Sequence, residues 1–252
     1  MPSAQLIAFD IDQTLTESKT TIDTEMAELL LHLIREKKVA IVSGAPLSQC
    51  LEQVVNKLRC TLEELQNIFI IPTNGAALYT YTHEWTPIYQ ELLTEEEKKS
   101  IYDAFEQAFI ATHFEKDEEH TKGELVEDRG SQITFSALGS EGPLEFKMKW
   151  DPDFLKRKAM LVVMEPLLPQ FSMSMGGATS IDVTRKGITK ATGLAHLAQY
   201  LGIPLSDMLY VGDALFPGGN DASVMFLGVQ TVSVEAPGLD DTKNLLRGWI
   251  TS

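Results

Sequence analysis

The sequence predicts an α/β protein, and three observations carry that prediction. Short, almost wholly apolar runs, Leu6-Ile-Ala-Phe9, Val39-Ala-Ile-Val42 and Ile68-Phe-Ile-Ile71, are separated by segments with helical periodicity. Runs of this length without polar alternation suit strands buried on both faces of a parallel sheet, and the intervening helices supply right-handed crossovers. The alternation stops in the eighties and resumes near residue 186, and the stretch between is rich in short strand-like segments. The expected architecture is therefore a Rossmann-like parallel-sheet core, 1–83 plus 186–252, with an inserted α+β cap of 84–185.

The elements follow in order. The first strand, 6–9, ends at an acid, Asp10. Residues 25–38 carry Met26, Leu29, Leu30, Leu33 and Ile34 at helical spacing, and Lys37 and Lys38 suit the negative end of that helix. A second strand at 39–42, a helix at 47–58 and a third strand at 67–72 complete the first half of the core. Residues 76–89 are rich in Tyr, Thr and Trp and read as a hairpin turning at Thr82-His-Glu84. Thr94-Glu-Glu-Glu97 is a capping box that opens a helix to about residue 111. An acidic connection, 113–120, leads to strands at 124–128 and 132–138, and Asp151-Pro152 opens a further helix. Strands at 171–175 and 180–184 flank Gly176-Gly177, with Met160, Met164, Met173 and Met175 filling the cap core. The core then resumes with a helix at 188–201, strands at 208–211 and 228–234, and a last helix at 240–249.

Composition narrows the function. The chain has 252 residues, 44% of them apolar, enough for one large domain or a domain with an insert. Asp plus Glu number 36 against 21 Lys plus Arg, a net charge of −15. A surface so acidic repels nucleic acid and anionic lipid, so neither is an expected partner. An anionic substrate then needs a local basic pocket or a metal. Cys50 and Cys60 form no CxxC pair, which fits reduced thiols in a cytoplasmic protein. No basic leader with a long apolar run and no stretch of eighteen apolar residues stands in the sequence, so secretion and membrane spanning are not expected. The five histidines show no ligand spacing, so zinc is not expected.

Four signals carry chemistry, each at the C-terminal end of an expected strand or at the start of the helix after the insert. Open parallel sheets bind ligands beyond the C-terminal ends of their strands. Asp10-Ile-Asp12-Gln-Thr14 places two carboxylates at i and i+2, which face one side of an extended chain. Their repulsion is relieved by a divalent cation. Ser43-Gly44 follows the second strand, where a hydroxyl and backbone N–H groups at a helix start suit a phosphate oxygen. Lys190 stands near the start of the helix after the insert, placed to neutralise a phosphoryl group. Tyr210-Val-Gly-Asp213 leads into a glycine-rich turn ending in Asn220-Asp221. Asp213 is placed to hold a metal beside Asp10, and Asn220 and Asp221 to support it directly or from behind. Each signal also has an ordinary explanation as a turn, a helix cap or a solvated lysine; their order along the chain is what points to a site.

With these motifs the chain resembles the haloacid dehalogenase-like phosphotransferases, in the branch with a large α/β cap, and within it the eukaryotic-type phosphomannomutases. The resemblance spans essentially the whole chain. It rests on Phe9-Asp-Ile-Asp-Gln-Thr-Leu-Thr16, Pro217-Gly-Gly-Asn-Asp221, Gly176-Gly-Ala-Thr-Ser-Ile-Asp-Val183 and Val234-Glu-Ala-Pro237. It implies that Asp10 is the nucleophile and that Asp12 is the general acid and base. It implies that Asp10, the Asp12 carbonyl and Asp213 bind Mg2+, and that Thr14, Ser43 and Lys190 hold the phosphoryl oxygens. In the cap it implies that Arg129 contacts a phosphate, that Ser180 and Asp182 contact the sugar, and that Lys147 stands near a position held by an arginine in the family; Lys19, in the core, stands where the family carries a further arginine. It also implies a dimer formed through the cap. Three departures stand out. Gln13 replaces a glycine of the family motif, Ser140 stands near an expected arginine, and Ser43-Gly44-Ala45 is closer to the hydrolase members.

The expected function is Mg2+-dependent phosphoryl transfer on a sugar phosphate through an aspartyl-phosphate, as in the phosphomannomutases. A sugar-phosphate phosphatase, in which water completes the cycle, is the close alternative. A non-catalytic metabolite-binding protein is a third.

Overall fold

The computed structural model describes residues 2–17, 20–235 and 238–251. In chain order its elements are β1 (Leu6–Phe9), α1 (Thr24–Glu36), β2 (Lys38–Val42), α2 (Leu47–Gln53), α3 (Leu62–Leu65), β3 (Ile68–Ile71), β4 (Ala77–Tyr81), β5 (Trp85–Gln90) and α4 (Glu95–Ala111). They continue with β6 (Val126–Asp128), β7 (Ile133–Ser136), α5 (Leu144–Trp150), α6 (Leu155–Met164), β8 (Phe171–Gly176), β9 (Ser180–Arg185), α7 (Lys190–Leu201), β10 (Met208–Gly212), β11 (Gln230–Ser233) and α8 (Leu239–Thr251).

Among the described residues, one sheet has the order β11-β10-β1-β2-β3-β4-β5 and the other the order β6-β7-β9-β8. In the larger sheet β11, β10, β1, β2 and β3 pair in parallel, and β4 and β5 add an antiparallel edge. The register matters for function. Phe9 is level with Ile41 on one side and Val211 on the other, so the chain leaves β1, β2 and β10 at a common rim. Alternate side chains feed two apolar layers, as strand geometry requires. Ile7, Phe9, Ile41 and Val211 meet Met26, Leu30 and Leu33 of α1 and Leu246 of α8. Leu6, Ala8, Val42, Ile71 and Tyr210 meet Leu194 and Leu197 of α7. Helix α1 starts where Asp23 accepts a hydrogen bond from the Met26 N–H, the usual satisfaction of an orphan helix donor.

The structure divides into two units, Met1–Gln90 with Thr189–Ser252, and Glu91–Ile188. The second unit starts later than the expected 84, because the 76–89 hairpin adds its strands to the edge of the larger sheet. In the second unit, Ile133, Phe135, Ile181 and Val183 pack on Ile101 and Phe105 of α4 and Met160 and Met164 of α6. The opposite face of those strands is polar: Thr134 pairs across with Asp182, and Ser136 with Ser180.

Three expectations on elements need correction. The helix expected over 47–58 ends at Gln53, and a single tight turn, Val55–Lys57, follows. Short helices α3 and α5 were not expected. The helix expected from Asp151-Pro152 begins at Leu155, with the Asp151 carboxylate accepting from the Lys156 and Arg157 N–H groups. No helix of the described residues is long and apolar enough to cross a membrane.

Candidate active site

The site forms at the rim where β1, β2 and β10 end. Asp10 follows β1 directly, is almost wholly buried, and anchors its backbone N–H on the Val211 carbonyl at 3.0 Å. Lys190, the first residue of α7, is buried with its Nζ 2.8 Å from Asp10 Oδ1 and 2.7 Å from Asp221 Oδ1. Asp10, Asp213 and Asp221 each offer a carboxylate oxygen, and these oxygens all lie within 4.8 Å of one another. Thr14, also buried, aims its hydroxyl at Asp213 Oδ1, 3.4 Å away.

Glycines make these approaches possible. A Cβ on Gly193 would lie 2.5 Å from the Ile71 side chain and 2.9 Å from the Gly75 Cα, and one on Gly75 would lie 2.1 Å from the Thr189 carbonyl. Only bare backbone lets the start of α7 close on the end of β3, and that contact seats Lys190. A Cβ on Gly212 would likewise lie 2.4 Å from Asp221 Oδ2.

Burial dominates the electrostatics. It pushes the Asp10 carboxyl up to about 8; Lys190 opposes that rise, while Asp221 and Asp12 add to it. Burial and the Asp221 charge also raise Asp213. For Lys190 burial acts to lower its affinity for a proton, but Asp10 and Asp221 outweigh it and the net direction is upward. The acids thus outnumber the one lysine among them. A cluster of carboxylate oxygens short of positive charge is a donor set that fits a hard divalent cation.

Asp221 is tied down from several sides. Its Oδ1 accepts from Lys190 and from the Tyr210 hydroxyl, and its Oδ2 accepts from the Ala214 N–H at 3.2 Å. It therefore supports Lys190 at least as directly as it can support a cation. Asn220, expected beside it, is exposed. Asp12 is half-buried next to Asp10. Ser43 is buried after β2, and its Oγ accepts from the Ala45 N–H at 3.1 Å. Helix α2 begins four residues later and is only 7 residues long, so the Ser43-Gly44 turn, not a helix terminus, is what the rim presents.

The chain matches the haloacid dehalogenase-like hydrolase family over residues 7–227, a span that contains every one of these rim residues. It belongs to the haloacid dehalogenase-like hydrolases. Among curated relatives, this haloacid dehalogenase-like chain is 28% identical to a phosphomannomutase of Encephalitozoon cuniculi, covering 94% of this chain and 90% of that one. It is 27% identical to a phosphomannomutase of Spinacia oleracea, with 95% and 93% covered. Two solved structures share the fold. One is an IMP-bound, N-terminally truncated IMP-nucleotidase of Plasmodium falciparum (TM-score 0.72, 16% identity, 99% of this chain and 68% of that one). The other is a haloacid dehalogenase-like hydrolase of Bacteroides thetaiotaomicron (TM-score 0.65, 16% identity, 98% and 99%).

Gln13 has a cost in this member of the haloacid dehalogenase-like family. Its φ is 62°, in the left-handed region, where a side chain is disfavoured by about 1 kcal/mol relative to glycine. The conformation is held from both ends: the Gln13 N–H donates to the Thr16 carbonyl and the Gly238 N–H donates to the Gln13 carbonyl, each at 2.7 Å. Gln13→Gly is therefore expected to raise both thermal stability and turnover, read as Tm and as kcat on p-nitrophenyl phosphate. An unchanged Tm and rate would show that the loop carries no strain.

The cap-unit residues are placed as follows. Ser180 and Asp182 lie on the polar face of β9, with Ser180 Oγ 2.9 Å from Ser136 Oγ and Asp182 Oδ1 accepting from the Thr134 hydroxyl at 2.8 Å. Arg129 donates from both Nε and Nη2 to one carboxylate oxygen of Glu127. Lys147 is buried and donates to the Ser140 carbonyl at 3.1 Å. Lys19 and part of the 234–237 motif lie outside the described residues.

Two features escaped the sequence reasoning. In the sequence Tyr210 reads only as part of a strand, yet its hydroxyl donates to the Asp221 carboxylate; a hydroxyl in an otherwise aliphatic run is the available signal. Arg157 is fully buried, paired with Asp151 at 2.8 Å, and donates to the Gly176 and Gly177 carbonyls, so it braces the turn that leads to Ser180.

Proposed function

We propose that this chain transfers the phosphoryl group of a sugar phosphate through an aspartyl-phosphate on Asp10, in the manner of a phosphomannomutase. The observation that carries this is the gathering of Asp10, Asp213 and Asp221 around one rim with Lys190 buried among them. Phosphomannomutases are among the relatives that match it along almost its whole length, and that supports a hexose phosphate as substrate.

In this account a carboxylate oxygen of Asp10 attacks phosphorus, and the bond to the sugar oxygen breaks. Asp12 protonates the departing oxygen and later takes a proton from the incoming hydroxyl. Lys190 sets the Asp10 carboxylate in place and offsets charge on the transferring group, with Thr14 and Ser43-Gly44 donating to its oxygens. Mg2+, held by Asp10, Asp213 and the Asp12 carbonyl, would supply the positive charge that keeps these acids ionised and that stabilises the transferring phosphoryl group. Asp221 holds Lys190 through the hydrogen bonds described above. Ser180, Asp182, Arg129 and Lys147 of the cap, and Lys19 of the core, are the proposed contacts to the rest of the substrate.

One observation favours a phosphatase as the second reading. A mutase must hold the phosphate it is not transferring, yet Glu127 already engages Arg129, Lys147 is spent on a backbone carbonyl, and Ser140 offers no charge. Supplying mannose 1-phosphate with a hexose 1,6-bisphosphate activator separates the two. Mannose 6-phosphate as product supports the mutase, and free phosphate as the sole product supports the phosphatase. Turnover of neither kind across hexose phosphates would set aside the sugar-phosphate assignment.

A further inference from the structure

Between β3 and β4 the chain crosses the same rim in a conformation that its residues do not favour. Thr73 and Asn74 have φ of 49° and 55°, and Gly75 follows at 97°. Asparagine tolerates the left-handed region; a β-branched threonine does so poorly. Thr73 is moreover buried with its hydroxyl lacking a hydrogen-bond partner. Local stability therefore does not explain the segment, and strain of this kind persists where the surroundings impose it, most often at functional sites.

The surroundings here are two parts of the proposed phosphoryl pocket. On one side the Thr73 N–H donates to the Ala45 carbonyl at 3.0 Å and the Asn74 N–H to the Ser43 carbonyl at 2.9 Å. The Asn74 carboxamide sits on Gly44 so closely that a Cβ on that glycine would lie 3.2 Å from both Oδ1 and Nδ2. On the other side Gly75 meets Thr189 and Gly193, at the start of the helix that begins with Lys190.

We propose that Asn74 is a positioning residue of the phosphoryl pocket: its carboxamide, seated on Gly44, holds the Ser43-Gly44 turn in the shape that receives a phosphoryl oxygen. A side chain at Gly44 would crowd the carboxamide and oblige it to shift by a few tenths of an ångström. The left-handed backbone at Thr73 and Asn74 delivers the carboxamide there and, through Gly75, ties the turn to the seat of Lys190. This rests on the reading that Ser43-Gly44 contacts the phosphoryl group.

The test uses the full chain with Mg2+, p-nitrophenyl phosphate as substrate and inorganic phosphate as competitive inhibitor. Asn74→Gly keeps a left-handed backbone and deletes the carboxamide. Asn74→Asp keeps both the backbone preference and the side-chain size and adds a negative charge. Ser43→Ala serves as the reference. The expected result is that Asn74→Gly raises KM and the phosphate Ki by about tenfold, the value of one well-made polar contact. Asn74→Asp raises them further, kcat changes much less, and Tm of Asn74→Asp stays at the parental value. If both Asn74 variants keep parental KM and Ki while Ser43→Ala raises them, Asn74 has no positioning role and the pocket assignment stands. If Ser43→Ala is also without effect, the pocket is elsewhere and the role of Asn74 falls with it.

Discussion

Asp10→Asn is expected to abolish Mg2+-dependent release of phosphate from p-nitrophenyl phosphate, a loss of roughly a thousandfold or more, because a carboxamide cannot form the acyl phosphate. The same substitution is not expected to destabilise the protein. Burial disfavours the charged form of Asp10 and outweighs the opposing pull of Lys190, and the amide is close to the carboxyl in size. A sign follows for pH. The folded Asp10 keeps its proton to about pH 8, whereas the unfolded carboxyl releases it near the ordinary 3.8. Between those values the folded state binds more protons, so the contribution to stability is full below pH 3.8 and is lost as pH rises through 8. In chelator, the unfolding free energy of the parent protein should fall across that window, by at most about 1.4 kcal/mol per pH unit from this group, and Tm should fall with it. Asp10→Asn should flatten the fall. Equal pH dependence in the two proteins would mean that another group carries it.

Lys190→Met is the second large effect. It leaves the Asp221 carboxylate buried without the lysine it pairs with, and breaking a buried pair in this way costs about 3–5 kcal/mol. In a chain of this size that corresponds to a Tm lower by roughly 10 °C. Turnover should fall by about a hundredfold or more, since the residue also offsets charge on the transferring group. Thermal denaturation and steady-state kinetics read the two effects separately. A variant as stable as the parent would show that the lysine is not buried between the two acids.

Much of this was legible in the sequence, for physical reasons that can be traced to particular residues. A buried parallel strand leaves a run such as Leu6-Ile-Ala-Phe9, and an acid directly after it has no packing role, which is why Asp10 and Asp213 stood out. The register that sets the end of β1 beside the end of β10 is supplied by the structure. Lys190 was visible only by position, since a lysine opening a helix is usually solvated; its burial between Asp10 and Asp221 is a tertiary fact. The same holds for Tyr210 and Asp221, whose contact closes an eleven-residue loop, and for Arg157, whose buried pairing with Asp151 periodicity cannot announce. The hairpin β4–β5 is legible in the sequence, but alternation says nothing about which sheet a hairpin joins, and the second compact unit begins at Glu91, after the hairpin. Helix α5, 7 residues with Lys147 and Lys149 among apolar neighbours, is too short to show a period. Gln13 is the converse case. The family's glycine at that position permits a tight backbone, and the structure shows a left-handed one there although the glycine is gone.

The account turns on a covalent bond between phosphorus and Asp10, so the most direct measurement is to trap it. Protein quenched in acid during turnover of a phosphorylated substrate, then digested and mapped by mass spectrometry, should carry one phosphoryl group on the peptide containing Asp10, and hydroxylamine should remove it. Turnover without a phosphorylated protein, or a phosphoryl group on any other residue, would contradict the account.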